Sequence, residues 1–119
     1  MTLLPTSIQT GQRAEQAAAE HLVRHGFSII ETNYRRPSCE IDIVARRGTT
    51  IYFVEVKYRA TGRFGDGLEY IGRQKLKHMQ RAAEVWVAAH GWQGEYTLSA
   101  IEVGGPDFDV DEFIESIWL

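Results

Sequence analysis

Residues 40–57 constrain this chain more than any other stretch, because they alternate like two strands around a glycine turn. Both arms are rich in Ile, Val, Phe and Tyr, which predicts a β-hairpin. Side chains alternate faces along a strand, so Glu40 and Asp42 share one face of the first arm. Glu55 and Lys57 share a face of the second arm for the same reason. The hairpin therefore predicts that Asp42 lies beside Glu55, with Lys57 one pleat further along.

Three carboxylates and a lysine in two hydrophobic strands indicate a cation site with a base beside it. Mg²⁺ and Mn²⁺ prefer hard oxygen ligands, and Asp42 and Glu55 are the predicted metal ligands. Lys57 could orient or deprotonate an attacking water, or stabilise charge that builds on phosphorus. Glu40 is an accessory candidate. The alternative is a hairpin ion pair in which Lys57 bridges Glu55 and Asp42 without any catalysis.

The chain of 119 residues suits one domain. We expect a flexible segment at residues 1–10 and a single α/β domain over residues 11–119. The predicted elements are a helix at 11–25 with Thr10 as N-cap and Gly26 after its end, a strand at 27–34, the hairpin, a helix at 71–90, a strand at 96–103 and an apolar C-terminal segment that docks as a strand or short helix. Glu15 falls on the edge of the first helix's apolar stripe, where periodicity alone favours a solvated carboxylate.

Charge is distributed unevenly along the chain. The segment up to Arg81 holds all 13 Lys and Arg and eight acidic residues, net +5, whereas the remainder is −8. This asymmetry favours a surface that faces a polyanion, unless the fold simply intermixes the charges. The candidate nucleic-acid-binding residues are Arg59, Arg63, Arg73, Lys75, Lys77 and Arg81. Arg73, Lys77 and Arg81 step by four along one helix face, which can track phosphates but is also typical of a solvated helix.

Several classes of protein are disfavoured. The one cysteine, Cys39, excludes an intrachain disulfide and a cysteine-cluster zinc site, and it fits a reducing compartment. No apolar run approaches the roughly 20 residues needed to span a bilayer. The first residues lack a basic and apolar leader pattern, so we expect a cytoplasmic protein that makes no use of a membrane.

Several short motifs occur in a fixed order along the chain: Gly11-Gln12-Arg13-Ala14-Glu15, Asn33-Tyr34-Arg35, Glu40-Ile41-Asp42-Ile43-Val44, Phe53-Val54-Glu55-Val56-Lys57-Tyr58-Arg59, and Lys75 before an Ala-rich helix. Taken together, these motifs resemble the UPF0102 or YraN-like family and the broader PD-(D/E)xK nuclease signature. The resemblance implies a restriction-endonuclease-like mixed sheet flanked by helices, similar to archaeal Holliday-junction resolvases. It also implies that Glu15, Asp42, Glu55 and Lys57 are the catalytic residues. Cys39 departs from the family pattern, which usually has Gly there.

The sequence thus predicts an endonuclease-like protein that binds DNA, including branched DNA, and hydrolyses phosphodiester bonds with Mg²⁺ or Mn²⁺. Two alternatives remain open. One is a nucleic-acid-binding module of the same fold that cuts nothing. The other is an interaction protein that uses its acidic C-terminal part. A homodimer would suit an enzyme that cuts two strands, although the sequence contains no interface signature.

Overall fold

A computed structural model describes residues 6–60 and 71–117, and these ranges contain two helices and five strands. The elements are α1 (Ser7–Arg24), β1 (Ser28–Arg36), β2 (Cys39–Arg47), β3 (Thr50–Arg59), α2 (Arg73–His90), β4 (Glu95–Gly104) and β5 (Asp109–Ile114). Arg63, one of the predicted nucleic-acid-binding residues, lies outside the described residues.

The strands form one mixed sheet in the order β1-β2-β3-β4-β5. The pairs β1–β2, β2–β3 and β4–β5 are antiparallel, whereas β3 and β4 are parallel. A parallel pair requires a crossover connection, and α2 lies in the segment that joins β3 to β4. The α/β class predicted from the sequence is confirmed, and the arrangement is consistent with a restriction-endonuclease-like fold.

One helix covers each face of the sheet. The small residues Ala14 and Ala18 let α1 pack closely on Ile43, Val54 and other side chains of one face. On the opposite face, the α2 stripe packs against a second cluster. Its members include Leu76, Met79, Ala82, Ala83 and Trp86 from the helix and Ile41, Val44, Ile51, Phe53, Leu98 and Ala100 from the sheet. Within the described ranges, neither helix is long and apolar enough to cross a membrane.

The first helix begins earlier than predicted. Thr6, not Thr10, is its N-cap, because Thr6 and Gln9 form a reciprocal capping box. Residues 7–10, which we expected to be flexible, are therefore helical. Gly26 follows the end of α1 with a φ of +88°, as its predicted position requires.

Strand β1 is longer than predicted, and the C-terminal segment adds a further strand to the sheet. The β1–β2 ladder continues to the Arg36–Cys39 pair, so Pro37 and Ser38 alone make the turn, with Ser38 at a φ of +66°. At the other edge, the acidic C-terminal segment docks as strand β5, and its Phe113 packs among the residues on the α1 face. The predicted docking of the C-terminal segment is confirmed for residues up to 117.

Two glycine substitutions are expected to change stability in opposite directions. Gly91 ends α2 with a φ of +61°, a left-handed conformation that costs an L-residue about 1 kcal/mol or more. Gly91→Ala should therefore lower the free energy of unfolding by roughly that amount. Gly11 lies inside α1, and a Cβ added to it would meet no atom within 4 Å. Gly11→Ala should therefore raise the free energy of unfolding by about 0.5–1 kcal/mol. Urea unfolding of both variants tests this, and equal signs would contradict it.

Candidate metal centre and nucleic-acid interface

The sheet forks between its second and third strands. The β2–β3 ladder runs from Arg47–Thr50 to Ile43–Val54 and does not continue to Asp42. Beyond that point β2 still pairs with β1, and β3 still pairs with β4. The fork leaves the Val56 amide without a strand partner on β2. It donates instead to the Asp42 carboxylate, with a distance of 2.9 Å from N to Oδ2.

The regular alternation of β2 breaks at Asp42. Ile41 packs in the cluster under α2, whereas Ile43 packs in the cluster under α1, although the two are separated by one residue. Across the ladder, Asn33 has a φ of +54°. Asp42 therefore extends into the fork between the strands, and its side chain is only 12% exposed. The sequence predicted that Asp42 and Glu55 are neighbours across a ladder, but the structure brings them together through the fork.

Asp42 and Glu55 behave as one coupled pair of carboxyl groups. Burial raises the pKa of Glu55 to about 8, and a hydrogen bond and the charge of Asp42 act in the same direction. Lys75 opposes this rise. Glu55 therefore binds its proton more tightly than an ordinary glutamate does. Two carboxylates held this closely favour the uptake of a proton or a cation.

Two lysines flank Glu55 on the α2 face of the sheet. Lys75, near the start of α2, places Nζ 2.6 Å from Glu55 Oε2. Glu55, Val56, Lys57 and Lys75 line a cavity of about 280 Å³. Lys57 is exposed at this cavity, on the same side of β3 as Glu55. Lys75 was predicted as a nucleic-acid-binding residue, and its contact with an acidic residue was not predicted.

Glu15 and Glu40 also lie near Asp42. Burial and the charge of Asp42 raise the pKa of Glu15, while a hydrogen bond with Asn33 lowers it. Arg35 bridges the remaining acids, 3.3 Å from Glu40 and 3.7 Å from Asp42. The acidic residues predicted from the sequence thus form a chain with Asp42 at its centre. Arg35 and Asn33 were quoted only as part of the family motif, and their contacts add them to the site.

Arg59 is tied to a buried acid. It forms an ion pair with Glu102 of β4, whose side chain is 1% exposed. Glu102 also lies opposite Lys57 in the parallel β3–β4 ladder, so its carboxylate is close to the basic residues at the end of β3. Arg59 therefore neutralises a carboxylate that would be costly to bury alone. This contact gives Arg59 a structural role besides the predicted contact with nucleic acid.

The basic row of α2 faces away from the sheet. Arg73, Lys77 and Arg81 are all exposed, whereas Leu76 and Met79 are buried between them. A second cavity, of about 310 Å³, connects this helix to the β1–β2 turn. Its lining residues are Arg35, Arg36, Ser38, Cys39, Glu40, Lys75 and His78. Each of the two cavities is therefore lined by basic side chains together with an acidic one, Glu55 in the first and Glu40 in the second.

The donor set fits a hard divalent cation that keeps much of its water. No group of three or more His, Cys, Asp or Glu side chains is arranged as a complete metal site within residues 6–60 and 71–117. Mg²⁺ commonly takes only one or two carboxylates, with waters and substrate phosphate oxygens completing its shell. Asp42 and Glu55 can supply those two carboxylates. Burial, followed by the hydrogen bond and charge of Asp42, raises the pKa of Glu55, and a cation between the two groups would offset the cost of ionising it.

The metal-free protein is expected to lose stability as pH rises from about 4.5 to about 8. Folded Glu55 holds its proton to about pH 8, whereas the unfolded chain releases it near 4.5. The folded state therefore binds more protons in this window, so the contribution is complete below 4.5 and is lost as pH rises through 8. Glu15 contributes with the same sign.

Glu55→Gln removes the larger titration, so its melting temperature should depend less on pH than that of the wild type. Thermal melts in EDTA between pH 4.5 and 8.5 measure the two slopes. Glu20→Gln changes an exposed carboxylate of α1 and serves as the control. Parallel curves for wild type and Glu55→Gln would contradict the coupled pair.

Comparison with known proteins places the chain among bacterial relatives. A protein of Cytophaga hutchinsonii named a UPF0102 protein is 35% identical over 103 residues, which cover 87% of this chain and 91% of that protein. A UPF0102 protein of Renibacterium salmoninarum is 41% identical over 87 residues, covering 73% and 74%. A structural similarity to the solved SPO1766 protein of unknown function from Silicibacter pomeroyi covers 95% of this chain and 75% of that protein. The two are 17% identical in sequence, with a TM-score of 0.44.

The family model matches most of the elements that build the site. It covers residues 14–110, from the middle of α1 to the start of β5, and therefore includes Glu15, Asp42, Glu55 and Lys57. The two named relatives are 35% and 41% identical to this chain and cover 87% and 73% of it. The chain belongs to the uncharacterised protein family UPF0102.

Proposed function

We propose that this protein binds DNA and hydrolyses phosphodiester bonds with Mg²⁺ or Mn²⁺ held by Asp42 and Glu55. The observation that carries the proposal is the convergence of these two carboxyl groups at the fork, with Lys57 and Lys75 beside them. Groups with strongly shifted pKa values in a cleft are typical of functional sites. A structural role for Asp42 as acceptor for the Val56 amide would not by itself require a second carboxyl group beside it.

The fork fixes the ligands before any substrate binds. The Val56 amide holds Asp42 Oδ2, and a cation would bind at Oδ1, which Arg35 approaches to 3.7 Å. Glu55 is only 13% exposed, so it adds a carboxylate with few competing waters. A divalent cation bound there lowers the pKa of water and offsets charge on a phosphate. Preorganised ligands of this kind reduce the reorganisation needed when charge develops.

Lys57 is the residue that supports hydrolysis rather than binding alone. It lies on the same side of β3 as Glu55 and is exposed at the cavity mouth. From there its amine can orient or deprotonate the attacking water, or donate to a phosphate oxygen. Glu15 lies next to Asp42 and can accept a hydrogen bond from a water on the α1 side.

The basic surface supports a nucleic acid as the substrate. Arg73, Lys77 and Arg81 form an exposed row on α2, the helix that also supplies Lys75 to the acidic residues. A phosphate backbone that follows this row would reach the fork at its end. Branched DNA is the substrate class implied by the resemblance to junction resolvases.

Replacing the ligands and Lys57 should separate metal binding from chemistry. Asp42→Ala and Glu55→Ala are expected to abolish metal-dependent nicking, because each removes a cation ligand. Lys57→Ala should retain metal binding and lower the rate by about 100-fold or more. Lys57→Arg should not restore the rate, because guanidinium remains protonated. The assay is nicking of junction, flap and single-stranded DNA in Mg²⁺ or Mn²⁺.

Glu20→Gln is the control and should cleave as the wild type does, with melts confirming that every variant folds. Nicking by Lys57→Ala at the wild-type rate would contradict its catalytic role. DNA binding by a wild type that cuts none of these substrates would favour the non-catalytic binding module.

The basic row predicts a steep salt dependence of DNA binding. Each of Arg73→Ala, Lys77→Ala and Arg81→Ala should reduce the slope of log affinity against log salt by about one unit. Arg46→Ala is the control, since this exposed arginine lies near the β2–β3 turn and bonds to Gly48. Fluorescence anisotropy at several salt concentrations measures the slopes. A flat response in the wild type would contradict the interface. Arg59 is unsuitable for this test because its loss leaves Glu102 buried.

A further inference from the structure

Lys75 differs from the other basic residues of α2 in where it lies. It is four residues before Met79, so it falls on the stripe that packs against the sheet and not on the exposed row. Its ammonium reaches Glu55 at 2.6 Å, while Lys77 is exposed. A charged residue at the end of an apolar stripe is costly unless it has a partner. Lys75 is therefore part of the acidic site.

Lys75 brings a positive charge to the carboxyl groups. Its Nζ lies 2.6 Å from Glu55 Oε2, and Lys75 lines a cavity together with Glu40. An ammonium in contact with a carboxylate forms a charge-assisted pair. A cation bound by Asp42 and Glu55 would lie within a few ångströms of this ammonium, and the two would repel each other.

We infer that Lys75 is an internal counter-ion of the metal centre: its ammonium occupies Glu55 in the metal-free protein and is displaced when a divalent cation binds. This inference rests on the proposed function, since it requires the cation. An ammonium at Glu55 Oε2 and a divalent cation on the same carboxyl group would lie within a few ångströms and repel each other. Each of them offsets negative charge on the carboxyl pair in its own state.

The surroundings of Lys75 allow the ammonium to move without disturbing α2. Lys75 lines both the cavity of about 280 Å³ at Glu55 and that of about 310 Å³ at Arg35 and His78. Its side chain is 36% exposed and carries its charge on a flexible four-carbon stem. The displaced ammonium would remain beside the acidic site, at a position where it can donate to a phosphate oxygen of the substrate.

Removal of this charge should strengthen metal binding. Isothermal titration of DNA-free protein with Mn²⁺ is expected to show Lys75→Met binding about tenfold more tightly than the wild type. Lys75→Arg keeps the charge and should bind Mn²⁺ about as weakly as the wild type. Lys77→Met makes the same charge change on the exposed face of the same helix, so its Mn²⁺ affinity should stay within about twofold of wild type. Thermal melts establish that each variant is folded.

The outcomes separate this inference from the proposed function. Tighter binding by Lys75→Met alone supports the exchange, as does Mn²⁺ binding by Lys75→Met when the wild type binds none. Wild-type binding of Mn²⁺ that Lys75→Met does not strengthen would overturn the exchange and leave the metal centre standing. No Mn²⁺ binding by the wild type or any Lys75 variant would overturn both.

Discussion

The hydrogen bond from the Val56 amide to the Asp42 carboxylate, 2.9 Å long, marks the point on which the site depends. Strand β2 cannot pair with β3 there, so a side chain takes the place of a backbone acceptor. The fork lies between two sheet halves that both continue to pair, which makes it a stable gap rather than a frayed edge. Both helices support it, since Ile41 packs under α2 and Ile43 under α1.

The gap gathers like charges, and the rest of the site balances them. Burial and the neighbouring Asp42 raise the pKa of Glu55, Arg35 bridges Asp42 to Glu40, and Lys75 forms an ion pair with Glu55. Partly buried charges are tolerated only when opposite charges or hydrogen bonds offset the loss of hydration. The same balance makes the site responsive, because a proton, an ammonium or a divalent cation can each neutralise the pair. The proposed hydrolysis requires that the divalent cation is the partner that neutralises the two carboxyl groups.

Much of the fold could be predicted because its signals are local. Strand alternation around the glycine turn gave the hairpin, and Gly91 gave the end of α2. The point at which β2 leaves β3 was not predictable, because it depends on Ile41 and Ile43 packing under different helices, which the local sequence pattern does not indicate. Lys75 was predicted only as a nucleic-acid-binding residue, because its helix is rich in basic residues. Its spacing of four from Met79 places it on the buried stripe, which could have indicated its contact with Glu55. The early start of α1 had a readable signal in Thr6 and Gln9, which form a capping box.

The central claim is that the two carboxyl groups at the fork are ligands of one divalent cation. Crystals soaked in Mn²⁺ and measured near the manganese absorption edge test it most directly. The account predicts one anomalous peak at about 2.1 Å from an oxygen of both Asp42 and Glu55, with the Lys75 ammonium moved away from Glu55. No peak at the fork at saturating Mn²⁺, with Lys75 still in contact with Glu55, would contradict it.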